Sequence, residues 1–186
     1  MLRLSRVPLF AAGSLLLSAC VMTERPLSDE ESSKVDERLT NAVWEEVLPP
    51  GETREAARLE FTRHDDQPNA MRLVRRVTNE EPRYYTVYAL ERPAILSIGL
   101  ENDEGKVTWL PMKYDIDEHG DLKLAGLDRQ LFCPAVADGK LRGDLRKNDD
   151  GECVAATLSS DPEDVLKFIA DHADEAWAPP SIYRKR

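Results

Sequence analysis

The chain has 186 residues, 41% of them hydrophobic, and carries 35 Asp and Glu against 25 Lys and Arg for a formal net charge of −10 at pH 7. Affinity for a phosphate backbone depends on clustered Lys and Arg, so this balance argues against a nucleic acid partner. The length suits one domain with a core of its own.

The first nineteen residues have the layout of a secretory signal. Arg3 and Arg6 form a basic start, Leu9 to Ala19 an apolar run, and the small residues Ser18 and Ala19 lead up to Cys20. The run is too short to span a bilayer, which takes about 20 apolar residues. Residues 1–19 are therefore predicted to be a removable signal peptide.

Residues 20–33, opening on Cys20, are predicted to be a flexible tether. VMTERPLSDEESS is polar, interrupted by proline and poor in large apolar side chains. Residues 34–186 are then one β-rich domain. Ser28 with Glu31 forms a capping-box pattern, and Val35, Leu39 and Val43 recur every four residues, which predicts a short helix ending near Trp44.

From Ala57 the period changes to two. RLEFTR, MRLVRRV, YYTVYAL and AILSIGL alternate as strands do, and Leu110 to Ile116 followed by LKLAGL reads as a hairpin across DEHGD. Pro111 cannot donate to a ladder, so its strand is expected at an edge or bulged there. Arg72, Arg75, Arg76 and Arg83 are interspersed with acids and are expected to form cross-strand ion pairs on a solvated face.

A shorter helix or loop is expected over 128–138, with Leu131, Phe132 and Val136 inward and Gly139 ending it. Further strands are expected at 140–145, 153–158 and SIYRK. Before the last, Ser160 and Glu163 form a second capping box with Pro162 in the first turn. The stripe Val165, Ile169, Ala173 and Ala176, flanked by Leu166 and Trp177, predicts a helix stopped by Pro179 and Pro180. The fold class is thus mainly β (α+β): an antiparallel β-barrel or strongly curved sheet of about eight strands, with a short N-terminal and one C-terminal helix.

Candidate sites are few. After Cys20, only Cys133 and Cys153 remain. An exported, oxidising setting favours a disulfide between them, stabilising by about 3 kcal/mol, with two buried thiols as the other reading. No histidine lies near either in sequence, which disfavours a zinc site needing about four ligands. His64, His119 and His172 lie in polar turns and a helix with no nucleophile signature such as Gly-x-Ser-x-Gly, so no enzyme and no cofactor are expected.

The segment from Asp115 to Asp121 is similar to the start of a calcium loop, but His119 takes the fifth position and Gly126 the twelfth, where a bidentate carboxylate is needed. A tight turn through Gly120 explains the same residues, and no metal is expected. Tyr84, Tyr85, Tyr88, Trp109 and Tyr114 either pack the sheet or line a cavity for an apolar ligand.

Three resemblances add to this. Leu17-Ser18-Ala19-Cys20 resembles the lipobox of bacterial lipoproteins, which implies cleavage before Cys20, a diacylglyceryl group on its sulfur and an acylated new N-terminus, palmitate being a typical chain. Two or more acyl chains anchor stably where one is marginal. Val21 rather than Asp follows, which by the same resemblance implies the outer membrane, facing the periplasm or the cell surface. The stretch ERPLSDEESSKVDERLTNAVW resembles the opening of small bacterial envelope lipoproteins and brings no activity or site residue with it. Lipocalins carry Gly-x-Trp in their first strand, and Ala42-Val43-Trp44 is similar with Ala42 in place of that glycine.

The expected function is a non-enzymatic, membrane-tethered module that binds another envelope protein or serves envelope maintenance. The alternative is a lipocalin-like binder of an apolar small molecule or lipid. An envelope hydrolase comes third, for want of a nucleophile and base.

Overall fold

The computed structural model describes residues 21–186. In chain order the elements are β1 (Val21–Thr23), α1 (Glu37–Thr40), β2 (Val43–Glu46), β3 (Arg58–Arg63), β4 (Met71–Arg76), β5 (Arg83–Glu91) and β6 (Ala94–Glu101). There follow β7 (Val107–Ile116), β8 (Leu122–Gly126), α2 (Arg129–Ala137), β9 (Gly143–Lys147), β10 (Cys153–Leu158), α3 (Pro162–Asp171) and β11 (Ser181–Lys185).

Eight strands close into an antiparallel β-barrel. The ladder runs β2 to β3, β4, β5, β6, β7 and β8 by successive pairing, then β8 to β11, and β11 returns to β2. Closure removes the sheet edges that would otherwise invite pairing with another chain. The remaining three strands form an annex on β7: β1 pairs with it at Thr23↔Trp109, β10 runs parallel to β1, and β9 pairs antiparallel to β10.

β7 carries two partners end to end on one edge. β8 pairs with Met112 to Ile116, whereas β1 pairs at Trp109. Pro111 falls where one partner gives way to the other, while its opposite edge faces Ser97 of β6. A residue without an N–H is tolerated at such a handover even though the strand is central.

The barrel interior is filled by the inward half of each alternation: Trp44, Leu59, Phe61, Leu73, Val87, Leu96, Ile98, Leu110 and Leu122 are all at most 1% exposed. Leu39 of α1 plugs one end, and the Trp44 indole Nε1 donates to the Leu39 carbonyl at 3.3 Å. A second cluster, built from Val21, Leu127, Phe132, Ala156, Val165 and Ile169, packs α2 and α3 onto the annex.

Residues 21–33 do not form the expected tether. Val21 and Thr23 are buried in β1, and Leu27, Ser28 and Ser33 are buried beyond it. The Ser97 hydroxyl accepts from the Leu27 and Ser28 amides at 3.0 and 3.4 Å. Ser33 Oγ donates to the Asn69 carbonyl and accepts from the Ala89 amide, both at 2.8 Å. Serines that make the segment look solvated are its cross-links to the barrel wall.

Both expected helices end differently. The Ser28 to Glu31 pattern caps nothing; Asp29 and Ser32 close a turn instead, and helix α1 starts at the Asp36 cap. Val43 and Trp44 belong to β2, where ladders to β3 and β11 override the four-residue spacing. The late helix stops at Asp171, and its first cap is Asp161 rather than Ser160, whose hydroxyl accepts from the Arg142 amide at 2.7 Å. Beyond it, Trp177 bridges Leu127, with Asp128 donating to the Ala176 carbonyl and Ala178 to that of Gly126, both at 2.9 Å.

Candidate functional site

A carrier of apolar molecules needs an open interior, and this one is occupied. Phe61, Met71, Val87, Leu96, Ile98 and Leu122 are all 0% exposed, so no face of these side chains is open to a water molecule. Polar clusters close both mouths of the barrel. At the α1 end the Tyr114 hydroxyl donates to Asp36 Oδ2 at 3.0 Å, and Arg38 grips the same carboxylate at 2.6 Å. Burial, with the Asp36 charge beside it, pushes Tyr114 up to about 12.

The opposite mouth holds Glu46, its side chain only 3% exposed. Both terminal nitrogens of Arg54 donate to its two oxygens at 2.8 Å, and the Ala57 amide adds a third bond at 3.1 Å. Burial pushes this carboxyl up, but the Arg54 and Ala57 hydrogen bonds and the nearby guanidinium charges outweigh it and hold Glu46 below the usual carboxylate range. Arg75 is one of those charges. Expected on a solvated face, it points inward and is buried, reaching Glu80 at 3.5 Å. Burial, with Glu46 near it, raises Tyr183 well above an ordinary phenol.

The predicted site residues are scattered. Cys20 lies outside the described residues. Cys133 on α2 and Cys153 on β10 form a disulfide with their Cα atoms 6.2 Å apart, tying helix to annex sheet. His64 accepts from the Asp66 amide, His172 stacks on Phe168 with its Nδ1 2.9 Å from the Phe168 carbonyl, and His119 is exposed beside Glu118. Asp117 serves its turn: Oδ1 accepts from the His119 and Asp121 amides at 2.9 and 3.1 Å, and Lys123 pairs with Oδ2 at 3.1 Å.

The aromatic residues divide by the strand period. Tyr114 fills the barrel, whereas Tyr84, Tyr88 and Trp109 face outward. Tyr88 and Trp109 stack at 5.2 Å across the Gly99 position of β6. A Cβ on Gly99 would stand 3.2 Å from the Trp109 ring, so the glycine makes room for the stack.

Two outer grooves flank the annex. One, of about 680 Å³, runs between the 26–32 segment and the start of α3 and is lined by Asp29, Asp161, Glu163 and Asp164. The other, of about 560 Å³, lies between the Trp177 to Pro180 strap and the outer face of β7 and β8, with Lys113, Lys123 and Ala125 on its floor. The second was missed from sequence because Trp177 fits the apolar stripe of a helix that ends earlier. The signal was present in Pro179 and Pro180, each of which disfavours helical geometry in the residue before it. No family model, curated protein or solved structure matches this chain.

Proposed function

We propose that the protein is a lipid-anchored, non-enzymatic binding or maintenance module of a bacterial envelope, held at Cys20 to the outer membrane and facing the periplasm. The leader and LSAC motif support the anchor, and the Cys133–Cys153 bridge suits an oxidising compartment. The observation that carries the non-carrier part of the reading is the filled barrel. Its binding surfaces are then on the outside. The barrel fold is compatible with a lipocalin-like binder, but side chains hold the space where its ligand would sit.

Intact mass of the product purified from native membranes tests the anchor: cleavage before Cys20 with added acyl mass is expected, and Cys20→Ala should release the protein from the membrane fraction. Retention of residues 1–19, or no acyl mass, overturns it. Titration with a fluorescent fatty acid tests the filled interior. Saturable one-to-one binding would restore the carrier.

A further inference from the structure

We propose that the groove between the Trp177 to Pro180 strap and the outer face of β7 and β8 is the surface on which the protein rests against the lipid bilayer. The inference rests on the acyl anchor at Cys20 proposed above and specifies how the body sits once anchored.

Position comes first. Thr23 pairs with Trp109 in an antiparallel register, which brings Val21 to the level of Pro111, beside Met112. Met112 is already paired with Gly126, the last residue of β8. The start of β1 therefore abuts the end of β8, and Val21 shares a buried cluster with Leu127, against which Trp177 packs. Leu127 in turn bridges Trp177. Val21, the residue after the acylation site in sequence, thus lies about two strand spacings, on the order of 10 Å, from Trp177.

Spacing comes second. Because Val21 is already in the sheet, the folded body begins one residue after the acylation site in sequence. A tether of several residues would let the barrel tumble, whereas this arrangement presses one side of it to the membrane.

Chemistry separates the two grooves beside the annex. The groove at the start of α3 is lined by four acids; Asp161 is paired with Arg25 and Arg142, but burying Asp29, Glu163 and Asp164 against anionic lipid would be opposed by repulsion and desolvation. The strap groove offers Trp177, Ala178, Pro179 and Pro180 above Lys113 and Lys123. Tryptophan favours the headgroup level of a bilayer, and lysines there face lipid phosphates. Asp115 and Asp128 also line this groove. Lys123 is already paired with Asp117, so the groove carries no surplus of positive charge and acylation must supply the affinity.

The test uses the native acylated protein reconstituted in phosphatidylethanolamine–phosphatidylglycerol vesicles whose acyl chains carry bromine, a contact quencher of tryptophan. Trp109→Phe leaves Trp44, buried at 1% exposure, and Trp177. Vesicle flotation and intact mass report the anchor independently. The expected result is flotation, with about twofold quenching in Trp109→Phe that disappears in Trp109→Phe combined with Trp177→Phe. Lys113→Glu, an exposed substitution, should weaken the quenching without preventing flotation. A Trp109→Phe protein that floats with full acyl mass but leaves Trp177 unquenched overturns this surface and leaves the anchor intact. A protein that neither floats nor carries acyl mass overturns both.

Discussion

The barrel and its annex bury apolar side chains by different means. Around the barrel every strand has a partner on both sides, and the interior packs large residues such as Trp44, Phe61 and Met71. In the annex, β1 holds three residues in register with β10, β9 is an outer strand, and a disulfide ties α2 to β10. A closed ladder distributes its stability over the whole ring, whereas an open appendage depends on a few clamps. Phe61→Ala tests the first half of that contrast. It removes a fully buried ring from a site with no slack, should cost about 3–5 kcal/mol, and should unfold barrel and annex together in a denaturant titration.

The second half is tested by replacing both bridge cysteines, Cys133→Ser with Cys153→Ser. A loop of this size is worth on the order of 3 kcal/mol in the chain-entropy model. The loss should be local. Amide exchange should accelerate across α2, β9 and β10 while β3 to β6 keep their protection. Uniform acceleration through the ring would show that the barrel depends on the annex clamp as much as the annex does and dissolve the contrast.

The sequence disclosed these two regions unequally. Strands β3 to β8 were legible from their alternation, most clearly β3, where Leu59 and Phe61 are buried between Arg58, Glu60 and Thr62. β10 and β11 were anticipated at their full lengths although neither alternates cleanly: β10 buries Ala155, Ala156 and Leu158, and β11 buries Tyr183. β1 was not, since three residues in a polar context have no period, and its partner lies more than 130 positions away. β2 was hidden by the accidental spacing of Val35, Leu39 and Val43. Arg75 misled because its charge suggested solvent while its parity, shared with Met71 and Leu73, pointed inward. The cysteine pair was anticipated from compartment alone, but the strap groove depends on where α3 stops, which only the pairing of Leu127 with Trp177 decides.

Within the barrel, the two mouths offer a finer comparison. Arg54→Met leaves the Glu46 carboxylate buried with one amide for a partner and should cost about 2 kcal/mol at neutral pH. The sign with pH follows from the depressed Glu46 value. A group held below its unfolded value stabilises above the ordinary carboxyl range, about pH 4, and that contribution is lost as pH falls through the folded value. The difference between wild type and Arg54→Met, measured by urea denaturation, should therefore shrink on acidification. A difference constant from pH 7 to pH 3 would place the cost in lost packing of the arginine stem instead.

Tyr114→Phe probes the other mouth with the smallest change. It removes one hydrogen bond to Asp36 and leaves the Arg38 pair, so about 1 kcal/mol is expected at pH 7. Its signature is at the alkaline end. A phenol raised in the fold stabilises fully below its unfolded value of about 10, and that stability is lost as pH rises towards the folded value of about 12. The variant has no phenol there to ionise. It should lose less stability than wild type over that interval, with Tyr183 contributing the same alkaline slope to both. Equal slopes in the two proteins would mean that Tyr114 reaches solvent when it ionises and that the α1 plug opens at high pH before the ring does.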